Sequence, residues 1–172
     1  MDIDGSNPKR LTDRGNYPQA TAEWVVYQTG RKLWKVPIDG GEPVQLGENM
    51  TWNDVSPDGN LIACVLNKTG KVFDNDLTVL PIEGGSPVKA FDAQLRMPAR
   101  IRWTPDGRAV TYLSAQGGIS DIWSQPVDGG EPKRITNFKA DEIFAFDWSR
   151  DNTLVISHGS SRSDVVLIRN AR

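Results

Sequence analysis

The hexapeptide Ile38-Asp39-Gly40-Gly41-Glu42-Pro43 returns as Ile82-Glu83-Gly84-Gly85-Ser86-Pro87 and as Val127-Asp128-Gly129-Gly130-Glu131-Pro132, at offsets of 44 and 45 residues. An eroded copy, Ile3-Asp4-Gly5-Ser6-Asn7-Pro8, stands 35 residues before the first. A second motif is interleaved with it. Ser56-Pro57-Asp58-Gly59 returns as Thr104-Pro105-Asp106-Gly107 and degenerates to Ser149-Arg150-Asp151-Asn152, at offsets of 48 and 45. Two motifs on one stride constrain a chain strongly, because each repeat must be one supersecondary unit that buries its apolar faces against its neighbours.

Both motifs are turns. Proline sets φ at the second turn position, Asp closes the turn with its short side chain, and Gly takes the φ > 0 position. The segments between them are rich in β-branched and aromatic residues, as in Trp52 to Val55, Leu61 to Leu66 and Ala109 to Ser114, which is the composition of strands. Each period therefore predicts four antiparallel strands. Pro43, Pro87 and Pro132 open the fourth strand of each unit, and a missing N–H is tolerated there only if that strand is a sheet edge. The fourth strand is outermost and the first innermost.

Four-stranded sheets of about 45 residues in series are the blades of a β-propeller. The expected fold is all-β: a propeller of four-stranded antiparallel blades, about four of them, in a partial or open ring. No segment sustains a helical period. The chain reads as one domain, 1–172, with a remnant blade at 1–14 and blades at 15–48, 49–95, 96–140 and 141–172. A strand is expected at Lys9 to Leu11, and third-strand material at both Met1 to Ile3 and Val165 to Ile168. This redundancy predicts a portion of a longer protein or a shortened gene product. The first unit runs from Ala20-Thr21-Ala22 straight to Glu23-Trp24, without the Ser-Pro-Asp-Gly turn, so its inner hairpin should be short or irregular. An unclosed arc leaves strand edges through which copies of the chain are expected to associate, including as a two-copy ring.

Composition narrows the function. Twenty basic against 22 acidic side chains leave a net charge of −2, too little positive field for nucleic acid or a polybasic membrane contact. The longest apolar run, Leu61 to Leu66, is far below the roughly 20 residues of a membrane span, and Met1-Asp2-Ile3-Asp4-Gly5 lacks the basic and apolar regions of a secretory signal. A single cysteine, Cys64, excludes an internal disulfide and zinc sites built on cysteine pairs; placed mid-strand, it reads as a buried, inert thiol. His158 is the one histidine, so two-histidine mechanisms and histidine-rich metal sites are absent. Gly159-Ser160-Ser161-Arg162-Ser163 lacks the second glycine of a nucleophile elbow. No catalytic, cofactor-binding or metal-ligating residues are assigned. Asp74, Asn75 and Asp76 read as a polar loop apex. Asp76, Asp121 and Asp164 occupy one equivalent place before successive third strands, which points to hydrogen bonds with loop backbone.

Leu33-Trp34-Lys35-Val36-Pro37-Ile38-Asp39-Gly40-Gly41, followed by Ser56-Pro57-Asp58-Gly59-Asn60-Leu61-Ile62, resembles the TolB-like, WD-type propeller repeat of bacterial proteins. The C-terminal stretch, Phe146-Asp147-Trp148-Ser149 through Ser163-Asp164-Val165-Val166-Leu167-Ile168-Arg169-Asn170, is similar to the last blade of propellers fused to membrane-anchored bacterial serine/threonine kinases. The resemblance implies a bacterial interaction module working in the periplasm or elsewhere outside the cytoplasm.

In a propeller both turn motifs lie at one end, and the longer second-to-third and blade-to-blade connections lie at the other. These connections vary most, and variable loops on a rigid scaffold are where recognition resides. Lys68, Lys71, Arg96, Arg100, Arg102, Lys139, Asp141 and Glu142 are the candidate partner-binding residues on or beside that face. Arg100 and Arg102 begin an inner strand, where one of them facing the channel would hold a carboxylate. The expected activity is binding or scaffolding of a protein or peptide without catalysis. Two other readings are a C-terminal sensory propeller of a serine/threonine kinase or signalling protein, and an accessory propeller of a peptidase-like hydrolase.

Overall fold

In the computed structural model each Asp-Gly-Gly type turn closes a hairpin. The amide N–H groups of Gly40, Gly84 and Gly129 donate to the carbonyls of Pro37, Pro81 and Pro126, with φ of 83°, 84° and 104° at the three glycines. The structure describes residues 6, 8–70, 74–93, 95, 100–116 and 119–160.

The first sheet is β1 (Asn16–Ala20), β2 (Trp24–Thr29), β3 (Lys32–Pro37) and β4 (Val44–Glu48), paired in that order. The second is β5 (Met50–Val55), β6 (Leu61–Asn67), β7 (Asn75–Pro81) and β8 (Lys89–Phe91). The third is β9 (Ile101–Trp103), β10 (Ala109–Gln116), β11 (Ile119–Pro126) and β12 (Lys133–Arg134). β13 (Glu142–Trp148) and β14 (Leu154–Gly159) begin the fourth. All pairings are antiparallel, and no helix of the described residues is long and apolar enough to cross a membrane. The proline-led strands β4, β8 and β12 are the outermost strands of their sheets, where the missing N–H breaks no ladder bond. The inner strands touch across blades, β1 against β5 and β5 against β9. The result is a β-propeller arc of about four blades.

In the first three blades the two turns share one end. Ile38, Ile82 and Val127, at the third-to-fourth turns, donate their N–H groups to the carbonyls of Glu23, Asn60 and Arg108 at the first-to-second turns.

Blade-to-blade contacts form the core. Val26, Leu33 and Leu46 of the first blade meet Met50, Ile62, Cys64, Leu80 and Ile82 of the second. From the opposite face of the second blade, Ala63, Val65, Leu77 and Val79 meet Ile101, Trp103, Val110 and Tyr112 of the third. A sheet covered on both faces needs apolar residues at every position, which explains the unbroken run through β6. Each fully buried Ile, Leu or Val contributes about 1.5–3 kcal/mol. Leu113 and Ile122 then meet Ile143 and Phe146 of the fourth blade.

One expected strand is absent. Lys9 to Leu11 is not β-structure; the segment is held locally, by an Arg10–Asp13 ion pair and by the Arg10 guanidinium on the Thr12 carbonyl, and Lys9 Nζ donates to the Asp39 carbonyl. The expected strands at Met1 to Ile3 and Val165 to Ile168 lie outside the described residues. The inner hairpin of the first blade is shortened, as its sequence indicates. Thr21 N–H donates to the Trp24 carbonyl at 2.8 Å across two intervening residues, whereas Ser56 N–H reaches Leu61 across four.

Candidate functional site

The Ser-Pro-Asp-Gly type turn sets the register of the inner strands β5, β9 and β13. Ser56 Oγ donates to Asp58 Oδ1 at 2.6 Å and accepts the Leu61 N–H at 2.9 Å, while the Asn60 N–H donates to Asp58 Oδ1 at 3.0 Å. Thr104 and Asp106 repeat this arrangement with Ala109 and Arg108, and Ser149, Asp151 and Thr153 repeat it again. These bonds hold the carboxyls of Asp58, Asp106 and Asp151 below the usual carboxylate range, the serine or threonine hydroxyl acting most strongly. Asn152 stands where the other copies have glycine and takes φ 64°, which asparagine tolerates best among residues with a Cβ.

With that register, the residue two places before the Ser or Thr faces the channel. It is Asp54 in β5, Arg102 in β9 and Asp147 in β13; the pairing of Gln19 with Val26 puts Gln19 at the same place in β1. These four residues line a cleft of about 390 Å³ at the turn end of the channel, with Pro57, Pro105 and Trp148. Arg102 Nε lies 3.2 Å from Asp147 Oδ1, and Arg102 Nη1 lies 3.8 Å from Asp54 Oδ1. Asp54 Oδ2 accepts the Trp103 N–H at 2.8 Å. Burial pushes the Asp54 carboxyl up to about 6, against the opposing pull of the Trp103 N–H and of Arg102. Arg102 does face the channel, but its charge is taken up by two carboxylates of neighbouring blades. It ties three blades together and is no vacant anion receptor.

The loop end of the channel is built differently. Both β1 and β5 carry a β-bulge, between Asn16 and Gln19 and between Thr51 and Asp54. Tyr17 and Trp52 sit in these bulges with φ of 52° and 58°, a region that bulky side chains occupy only under strain. Their rings meet with centroids 5.2 Å apart at 51°. Two cross-blade bonds hold the bulges: Trp52 N–H to Gln28 Oε1 at 3.0 Å, and Asn53 Nδ2–H to the Tyr17 carbonyl at 3.4 Å. Tyr17, Trp52, Asn53, Arg100 and Ile101, together with Gln19 and Arg102 of the adjoining turn-end cleft, surround a cleft of about 100 Å³.

Of the sequence candidates, Arg100 is exposed beside this cleft. Lys68, in the β6–β7 connection, bridges Asp74 at 3.5 Å and Asp76 at 3.0 Å; these carboxylates, Asp76 foremost, raise its ammonium above the usual value. The polar loop apex is thus neutralised by the chain's own cation. Lys139 donates to Asn137 Oδ1 at 3.1 Å, Asp141 is exposed with φ 75°, and Glu142 begins β13. Lys71 and Arg96 lie outside the described residues. Asp121 accepts the Phe138 N–H at 3.0 Å and the Thr136 hydroxyl at 2.9 Å, and so holds the β12–β13 connection. Cys64 is fully buried, its thiol pushed up to about 12 by desolvation. His158 stacks on Phe138 at 4.9 Å. Among the described residues no group of three or more His, Cys, Asp or Glu side chains is placed to hold a metal ion.

The radial sheets and central channel make this a β-propeller of TolB-like fold. TolB from Acinetobacter baumannii superposes over 95% of this chain and 43% of its own, with a TM-score of 0.75 and 23% identity. The putative TolB from Agrobacterium tumefaciens covers 78% of this chain and 50% of its own, with a TM-score of 0.62 and 24% identity. The propeller domain of the Trilobed protease from Pyrococcus furiosus, described as having an open velcro topology, matches with a TM-score of 0.56 at 17% identity over 80% of this chain and 46% of its own. No protein-family model matches. Among curated proteins, Tricorn protease homolog 1 of Streptomyces coelicolor is 29% identical over 121 residues, 66% of this chain and 11% of that protein. Tol-Pal system protein TolB of Thioalkalivibrio sulfidiphilus is 32% identical over 63 residues, 37% of this chain and 14% of its own length. The chain thus spans a small part of these curated relatives and half or less of the solved propellers.

Proposed function

We propose that the chain is a single-domain, non-catalytic propeller module that binds a protein or peptide at the loop end of its channel. The observation that carries this reading is the contrast between the two ends. At the turn end Arg102 is spent on Asp54 and Asp147. At the loop end an aromatic pair stands on the inner strands β1 and β5 and an exposed arginine stands just before β9, with charged connections of both signs around them. Rigid scaffolds with variable polar rims are suited to recognition. Similarity to a protein named for the Tol-Pal system supports a protein partner. Association of copies through the ends of the arc belongs to the same reading, and a concentration-independent monomer in sedimentation velocity would remove it.

A second reading, an accessory propeller of a peptidase, is favoured by the match to the tricorn protease homolog over 66% of the chain. Both readings place peptide at the same end.

A random-peptide display library panned on the immobilised chain tests them. Enriched peptides should lose binding to a Tyr17→Ala/Lys139→Glu variant and keep it with Asp58→Asn at the turn end. Peptides that respond only to the turn-end change, or no enrichment over a blank surface, would overturn the assignment.

A further inference from the structure

We infer that Tyr17, Trp52, Asn53 and Arg100 form a recognition site for a peptide carboxylate, with the neighbouring apolar part of the peptide lying on the two rings. The inference rests on the binding-module reading and names the chemistry of its site.

Four observations converge. First, the two inner-strand bulges turn bulky aromatic residues into the positive-φ region, at 52° and 58°. Bulges of this kind re-aim side chains, and here they bring rings from adjacent blades into contact at the channel rim with Tyr17 half exposed. Such strain persists only where surrounding bonds over-determine it, which Gln28 and Asn53 do.

Second, Arg100 is exposed at the same cleft and makes no ion pair among the described residues. Its neighbour two residues on, Arg102, is fully engaged. A guanidinium left open beside aromatic faces is suited to a planar carboxylate, which it grips with two parallel N–H groups.

Third, Asn53 is 4% exposed, lines the cleft, and its Oδ1 is buried with no hydrogen-bond partner. A buried amide oxygen without a donor is costly, and a peptide N–H supplies the donor it lacks. A peptide offers carboxylate, N–H and apolar side chain together.

Fourth, the electrostatics select a single charge. Asp54 and Asp147 stand further along the same channel, and the chain carries a net charge of −2. A polyanion such as nucleic acid or heparin would be repelled where one carboxylate is not.

The test uses the full chain, labelled with ¹⁵N, and three tetrapeptide probes: acetyl-Ala-Phe-Glu-Ala-amide, acetyl-Ala-Phe-Ala-Ala with a free C-terminal carboxylate, and the neutral acetyl-Ala-Phe-Ala-Ala-amide. The expected result is saturable shifts of the Trp52 indole N–H and the Arg100 Nε–H with one or both carboxylate probes, at least about tenfold tighter than with the neutral peptide. The first two probes separate a side-chain carboxylate from a chain terminus. Arg100→Ala should abolish the preference for carboxylate without changing neutral-peptide binding, and Arg100→Lys should restore part of it. Equal binding of charged and neutral probes, an unchanged preference in Arg100→Ala, or tighter binding of heparin than of either carboxylate peptide would overturn the inference. If display peptides still bind the loop end but ignore Arg100, the binding-module reading stands and this site falls.

Discussion

The backbone N–H of Trp103 donates to Asp54 Oδ2 at 2.8 Å, and the Trp103 indole N–H donates to the Asp54 carbonyl at 3.1 Å. One residue on the inner strand of the second blade thereby receives both donors of a tryptophan on the inner strand of the third. Because burial raises the Asp54 carboxyl to about 6, the folded chain binds a proton more tightly there than the unfolded chain does. Stability from this group is fully present below the ordinary carboxylate range and declines as pH rises through about 6. Thermal unfolding between pH 5 and pH 7.5 should show that decline, and Asp54→Asn, which keeps an acceptor for the Trp103 N–H, should flatten it. An unchanged slope in the variant would place the titration elsewhere.

The turn carboxylates act with the opposite sign. Asp58, Asp106 and Asp151 lie below the usual range, so their contribution is present at neutral pH and is lost as pH falls through their lowered folded-state values. Asp106→Ala should cost about 1 kcal/mol at pH 7 in urea unfolding, from the lost bonds to Thr104 and Arg108. The difference from the parent chain should shrink as pH falls from the ordinary carboxylate range through the lowered folded-state value of Asp106.

Backbone conformation at the same turns gives a matched pair of substitutions. Gly107 has φ 68° and Asn152 has φ 64° at the equivalent place. Gly107→Ala should destabilise by about 1–2 kcal/mol, since a Cβ is disfavoured there, whereas Asn152→Gly should be neutral or stabilising by a few tenths of that. Chemical denaturation of the two variants side by side checks the direction.

Lys35 is 3% exposed, yet its ammonium pairs with Glu83 at 2.7 Å and lies 3.9 Å from the Trp24 ring centroid. Glu83 belongs to the next blade and its side chain is largely exposed, so solvent screens the pair. Glu83→Gln should cost about 1 kcal/mol at low ionic strength, and raising salt should shrink that difference. A loss independent of salt would assign the effect to packing.

Cys64 reports on global unfolding. Its thiol is fully buried and pushed up to about 12, and thiolate is the reactive form. Labelling by a thiol reagent at pH 8 should be slow in native buffer and follow the urea transition. Rapid native labelling would mean that the interface between the first two blades opens locally.

Most of the fold was legible because its punctuation is local. Ser56, Asp58 and Leu61 bond within five residues of one another, and Gly40, Gly84 and Gly129 need only their own turns. Period, strand order and the outer place of the proline-led strands follow from such short-range chemistry. The channel residues were half legible. Counting two places back from Ser56, Thr104 and Ser149 finds Asp54, Arg102 and Asp147, but the first blade lacks that marker, so Gln19 is found only from its pairing with Val26.

The sequence alone determined the repeat, the all-β blades and their hairpins, since turn chemistry and alternation act between near neighbours. Tertiary structure decided which charges remain open. Arg102 meets carboxylates 48 and 45 residues away, and Lys68 folds back onto Asp76, so neither is the free cation its position suggested. The Tyr17–Trp52 pair was equally hidden, because bulges at non-glycine residues carry no composition signal and the two rings meet only across adjacent blades.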